Sequence, residues 1–130
     1  MPYTRMVTRL KATSAVTALV GTRVHPGFAP SNTLPAIVYD VTSDEPENHS
    51  TGTTATHCMR IEVTSYAATY AGAKALAAAV ETALSGWNDS TGAVWHLDSS
   101  ADDSGEVQAG ANVLTFFAVV QQYQVWYATS

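Results

Sequence analysis

Residues 112–128, NVLTFFAVVQQYQVWYA, decide how this chain folds. Side chains alternate along an extended strand, so Val113, Thr115, Phe117 and Val119 share one face and Leu114, Phe116, Ala118 and Val120 the other. Both faces are apolar, the pattern of a strand covered on both sides. Two helices cannot easily cover both sides of a small sheet. If both pack on one side, the second face, continued by Gln122, Gln124 and Trp126, is left for another chain to cover. The alternative is a central strand whose second face lies under a long loop.

Working back from this strand, Ser99–Gly105 (SSADDSG) reads as a polar turn and Ala93–Asp98 (AVWHLD) as a strand, reached through a Gly/Asn/Asp turn. Ala67–Leu84 predicts a helix, because Leu76, Ala79, Val80, Ala83 and Leu84 form one stripe while Lys74 and Glu81 lie elsewhere on the wheel. Its alanines allow close approach to a sheet, and Gly72 marks a tight contact. Met59, Ile61 and Val63 alternate with Arg60, Glu62 and Thr64 as in a half-buried strand. Ala36–Ser43 (AIVYDVTS) is β-branched and aromatic, a second strand. Between the two, Asp44–Thr56 has no apolar residue larger than Ala, apart from Pro46, and predicts a long exposed polar loop at the tip of an antiparallel hairpin. Thr4–Val20 reads as one helix with Ala12, Ala15, Val16, Leu19 and Val20 on a face, ended by Gly21. Pro26, Pro30 and Pro35 then exclude a helix from the connection that follows.

These elements predict an α+β fold: an antiparallel or mixed β-sheet of about four strands with two helices packed on one face. At 130 residues the chain suits one domain spanning 1–130. Arg5, Arg9 and Lys11 before the mildly apolar Ala12–Val20 mimic a secretory signal, but Thr13, Ser14 and Thr17 interrupt that stretch and favour an amphipathic helix. No uncharged apolar run approaches the roughly 20 residues of a membrane span, so no membrane partner is expected.

Only 13% of residues are charged, about half the usual share, which makes the surface easier to bury against a partner. The charge is also uneven. Arg5, Arg9, Lys11 and Arg23 stand without an acid in residues 1–39, a net +4, whereas residues 40–130 hold Arg60 and Lys74 against all 11 acids, a net −9. The split fits a solvated basic helix with acidic loops, and equally complementary ends that suit a head-to-tail contact closing into a ring. The candidate interface residues are therefore Arg5 and Arg9 on the first helix, Asp44, Glu45, Glu47, Asn48 and His49 in the polar excursion, and Gln122, Gln124 and Trp126 on the last strand.

Recognisable catalytic chemistry is absent from the sequence. His25, His49, His57 and His96 sit in four segments with no HxxxH pair, and the single Cys58 excludes an internal disulfide or a CxxC zinc site. Asp102 and Asp103 lie in a Ser/Gly-rich turn and read as solvated charges. There is no GxSxG, no GxGxxG after a strand and no Walker-type loop, so no catalytic residue, metal or cofactor is expected. The acidic chain repels a polyanion, which excludes specific duplex binding but suits a wall past which DNA slides.

In order and spacing, the segments LVGTRVHP (19–26), LPAIVY (34–39), RIEV (60–63), SYAA (65–68), the Ala-rich helix ending in Ala83-Leu84, and YQVW (123–126) resemble the tail completion, or tail terminator, proteins of long-tailed bacteriophages and related gene transfer agents. The resemblance implies a small α/β subunit of a homo-oligomeric ring, usually a hexamer. That ring sits on the last ring of the tail tube, stops its polymerisation and presents a surface to the head, with DNA passing through the lumen. It implies a virion location at the head-proximal end of the tail, host cytoplasm during assembly, and partners in the tail tube protein and a neck or head-completion protein. Gly21–Val24 and Pro35–Tyr39 would be mainly structural. Two other readings stand beside it: a neck or head-completion protein of the same virion, and a small enzymatic or ligand-binding α+β domain.

Overall fold

A computed structural model describes residues 2–21, 23–27, 34–49, 52–88, 93–109 and 112–128, with 46–49, 52–56, 106–109, 112–114 and 128 as backbone. Residues 28–33 of the proline-punctuated connection, 89–92 of the Gly/Asn/Asp turn and 50–51 of the expected loop lie outside this set. The elements in chain order are α1 (Pro2–Ala12), α2 (Ser14–Val20), β1 (Val24–Pro26), β2 (Ala36–His49), β3 (Gly52–Ala67), α3 (Tyr70–Leu84), β4 (Val94–Ala109) and β5 (Asn112–Ala128). The strands form one mixed sheet in the order β1-β2-β3-β5-β4, parallel only between β1 and β2. The α+β class is as expected, with five strands in place of four and three helices in place of two.

All three helices lie on one face. Met6 and Leu10 of α1, Val16 and Val20 of α2, and Leu76, Val80 and Leu84 of α3 close over Ile37, Met59, Ile61, Val63, Trp95, Tyr123 and Val125. Register places these strand residues on the same side: Ile61 pairs with Tyr123, and Met59 with Val125, which in turn pairs with Trp95. A smaller cluster of Ala67, Ala73, Ala77 and Val119 continues it beneath the start of α3. Here alanines replace larger side chains and draw the helix down on the sheet. Gly72 belongs to this approach, since a Cβ there would lie 2.8 Å from Thr69 Oγ1 and 3.2 Å from Ala67 Cβ. The helix begins at Tyr70, because Ala67 stays in β3 and Thr69 caps it, accepting from Gly72 N at 3.0 Å.

The expected single first helix is two. Thr13 adopts extended dihedrals as the N-cap residue of α2, so the helix is interrupted between Ala12 and Ser14, and its hydroxyl donates to the Arg9 carbonyl at 2.7 Å. The break resets the phase, so Pro2, Met6, Leu10, Val16 and Val20 turn inward while Ala12, Ala15 and Leu19 are exposed.

A larger difference concerns the polar segments. The expected loop at 44–56 is strand over 44–49 and 52–56, paired out to His49↔Gly52, and the expected turn at Ser99–Gly105 runs within β4. In both places the chain has one or no neighbour to bury its faces. The side chains of a two-stranded ribbon or an edge strand meet water, so extended structure there needs no apolar alternation. β2 to β5 are 14, 16, 16 and 17 residues long, well beyond the usual strand and longer than the helices can cover.

The core makes a direct prediction. Leu76→Ala should lower stability by about 2–5 kcal/mol in urea unfolding, whereas Ala75→Lys on the solvent side should change it by less than about 0.5 kcal/mol. Equal losses from the two variants would contradict the helix orientation described.

Candidate assembly surface

The long strands project from opposite ends of the sheet. β3 leaves β5 beyond Thr56↔Ala128, so the β2–β3 tip stands clear at that end. β5 leaves β3 beyond Phe117↔Ala67, so from Gly105↔Phe116 to Ala109↔Asn112 the β4–β5 hairpin is a two-stranded ribbon on the order of 15 Å long. Its root is fixed by Phe116, whose ring lies over Gly105 so closely that a Cβ there would meet the ring at 2.7 Å, and packs edge-on to Tyr66 at 5.5 Å.

The sheet face away from the helices carries Phe116, Val120, Gln122, Gln124 and Trp126, all half-buried, with Ala118 buried among them. Across the register Gln122 stands beside Glu62, Gln124 between Arg60 and His96, and Trp126 between the half-buried Cys58 and the exposed Val94. Acids colour this face. Burial raises the Tyr66 hydroxyl above its ordinary pKa, and the charges of Asp103, Glu62 and Asp40 raise it further.

The expected interface residues do not form one patch. Gln122, Gln124 and Trp126 share the helix-free face, and Glu45, exposed, sits across from Cys58. Asp44 turns to the other side, where it accepts from Tyr127 Oη at 2.7 and 2.8 Å with His57 Nδ1 3.4 Å from its carboxylate. The bulge between Val41 and Ser43 re-aims it. Asn48 and His49 pair with Thr53 and Gly52 next to the β2–β3 tip, and Glu47 stands at the register shift just before them.

Arg5 and Arg9 line an open groove of about 450 Å³ between α1 and Trp87, with Thr8 and Thr13. Arg9 is also a structural tie that sequence reasoning missed. Its Nε donates to the Ala83 carbonyl at the end of α3, and its guanidinium lies 4.5 Å from the centre of the Trp87 ring. Trp87 stacks on the buried Trp95 at 5.7 Å, and Trp95 meets Tyr123 edge-on at 6.4 Å. The signal available in sequence was the cluster of aromatic residues at Trp87, Trp95 and Tyr123, whose convergence only the register reveals. At the other end Lys74 Nζ holds Asp102 at 2.6 Å and Tyr70 Oη donates to it at 2.9 Å, which raises the Lys74 pKa and lowers that of Asp102.

Among the described residues, no group of His, Cys, Asp and Glu is placed to hold a metal ion, and no helix is long and apolar enough to cross a membrane. The site is thus a surface: one helix-free sheet face with a two-stranded ribbon at each end. The comparisons with known proteins make the class specific. The family described as tail completion protein gp17 matches residues 4–128. The chain belongs to that family and is a structural protein of a bacteriophage-type tail, part of the virion. Twenty-three chains of solved structures match. One, from the "Virion of native gene transfer agent (GTA) particle", has a TM-score of 0.59 and 22% identity over 95% of this chain and 92% of that one, a likeness of fold. No curated protein matches.

Two predictions follow from these contacts. Arg9→Ala should destabilise the fold by about 1–3 kcal/mol, the range of a charged hydrogen bond with a ring contact, with Arg9→Lys losing less; chemical denaturation decides it. Burial first, then the Asp44 carboxylate, push the Tyr127 hydroxyl up to about 12. The folded-state value exceeds the ordinary 10.0, so the neutral phenol's contribution is whole below pH 10 and is lost as pH rises through 12. Unfolding free energy should therefore fall more steeply between these pH values in the wild type than in Tyr127→Phe. Tyr39, Tyr66 and Tyr123, also raised, cancel in the difference.

Proposed function

We propose that this chain forms a closed ring, a hexamer as in its family's known assemblies, that caps the head-proximal end of the tail tube, ends tube growth and offers the head-side completion protein its seat. The observation that carries the reading is the pair of ribbons leaving opposite ends of a sheet whose helices all lie on one face, in a chain of the tail completion family. A ring subunit must offer each neighbour a different surface, and a terminator must match the tube on one side and refuse it on the other.

In this mechanism the subunit acts by occupying an interface and carries out no catalytic step. The helix-free face, with Gln122, Gln124 and Trp126, is a contact surface for the ring or the tube. The β2–β3 arm, with Asp44, Glu45, Glu47, Asn48 and His49, reaches to the tube or the neck, where docking buries its polar faces. DNA passes through the lumen without specific binding. Assembly takes place in the host cytoplasm before the ring enters the virion.

The test is tail assembly in a host producing every other virion protein. Loss of this chain should give overlong tubes, and supplying it purified during assembly should restore their length. Finished tails of normal length that fail to join heads would instead make it a head-side protein. Shortening the β2–β3 arm by replacing residues 46–55 with an Asn-Gly turn should impair termination or joining while the fold survives; normal tails and normal joining would remove the arm from the mechanism.

A further inference from the structure

Three side chains meet where the β2–β3 arm leaves the sheet. Asp44 lies on β2 opposite Met59, His57 on β3 between Pro46 and Tyr127, and Tyr127 near the end of β5. Tyr127 Oη donates to both carboxylate oxygens of Asp44, at 2.7 and 2.8 Å, and the Tyr127 and His57 rings stand 5.5 Å apart. One rung further on, β3 parts from β5 at Thr56↔Ala128, and the β2–β3 register shifts between Pro46 and Asn48. A register shift bends a ribbon, so the arm has its bend directly above these three residues.

One bond of the cluster is missing. His57 Nδ1 is shut off from water and makes no hydrogen bond among the described residues, although an Asp44 oxygen lies 3.4 Å away. A buried polar atom without a partner is costly, and native proteins rarely leave one. A ring nitrogen that faces a carboxylate serves as a donor, which puts the hydrogen on Nδ1. The carboxylate has room for it, since its oxygens offer about four acceptor sites and Tyr127 engages each oxygen once. Bringing the pair to the usual separation takes a shift on the order of half an ångström. Beyond the register shift the arm is two-stranded, so a load on its tip is felt first at this rung.

The geometry points to a latch: Tyr127 holds the β2–β3 arm through Asp44 in the free subunit, and the third bond, His57 Nδ1 to Asp44, closes when the arm docks. The inference rests on the reading above that the arm docks on a virion neighbour, and it names the residues that set the arm's position. Tyr127 and His57 are positioning residues. In the docked state Asp44 takes one donor more than in the free state, and that difference lets docking shift the latch. An arm held in place also loses less freedom on docking than a slack one.

Hydrogen exchange in the free chain, read at the amides of residues 45–49 and 52–56, tests the first half. Tyr127→Phe should quicken exchange there by about tenfold, more than it does in α3, whereas His57→Ala should stay within about twofold of the wild type. Competition tests the second half. Wild-type and variant chains are supplied in equal amounts during assembly and counted in the purified virions by mass spectrometry. His57→Ala should be taken up about fivefold less than the wild type, and Tyr127→Phe less again. His57→Asn, whose amide nitrogen donates from nearly the place of Nδ1, should be taken up about as well as the wild type.

Unchanged arm exchange in Tyr127→Phe overturns the latch. If His57→Ala quickens exchange as much as Tyr127→Phe does, the third bond is made before docking; if it is taken up as well as the wild type, docking does not close that bond. Either result overturns the proposal. The terminator role fails on a different observation: tubes of normal length in the absence of this chain remove that role and leave the uptake ratios standing. Correct tube length with no effect of His57→Ala on uptake removes the latch alone.

Discussion

The constraint on which the structure depends is that one face of the sheet takes every helix. Met59, Ile61 and Val63 of β3, with Tyr123 and Val125 of β5, turn their side chains to the same side and attract α1, α2 and α3 together. Burial of that many large side chains in one layer outweighs what two thin layers could gain from so few helical residues. The rest follows from this asymmetry. The second face keeps a half-buried row from Phe116 to Trp126, and the strands, freed from the need to end where helices end, run on as ribbons.

Inside this layer, polar groups are placed with little slack. Gln121 is buried under α3 and spans it: its Nε2 donates to the Ala77 carbonyl at 3.2 Å while its Oε1 accepts from Tyr123 Oη at 3.2 Å. Tyr123, raised in pKa first by burial and then by Glu81, stays neutral under ordinary conditions and can keep donating. The same logic operates at the rim, where Tyr127 ties the end of β5 to Asp44 at the root of the β2–β3 arm. Each long ribbon is thus anchored by an aromatic residue where it leaves the sheet, Tyr127 on one side and Phe116 on the other.

What could be read from the amino-acid order was what burial dictates. The stripe of Leu76, Val80, Ala83 and Leu84 placed α3, the alternation of Met59, Ile61 and Val63 placed β3, and the apolar run from residue 112 marked a strand, of which only 117–126 pair on both edges while 112–116 lie in the two-stranded ribbon. The one-sided helices and the row of Gln122, Gln124 and Trp126 came from the same reasoning. Ribbons were illegible because solvent on both faces erases periodicity: DEPENH and SSADDSG look like turns whether or not they are paired. The break at Thr13 was hidden because no Pro or Gly stands near it, so the residues around it read as continuous helix. Arg9 reads in the sequence as an interface residue, and its structural role required knowing that Trp87 and the end of α3 meet it in space.

The margins of the sheet carry a consequence of their own. On one side β1 covers only the start of β2, leaving the exposed Asp40 and Glu45 along the remaining stretch; on the other, β4 presents the exposed Asp98 and Asp103. Two copies brought margin to margin would confront carboxylate with carboxylate, so growth by adding strand to strand, the route to fibrils, is repelled at neutral pH. Edge-to-edge stacking of this virion component is thereby disfavoured by the carboxylates its own sheet margins carry.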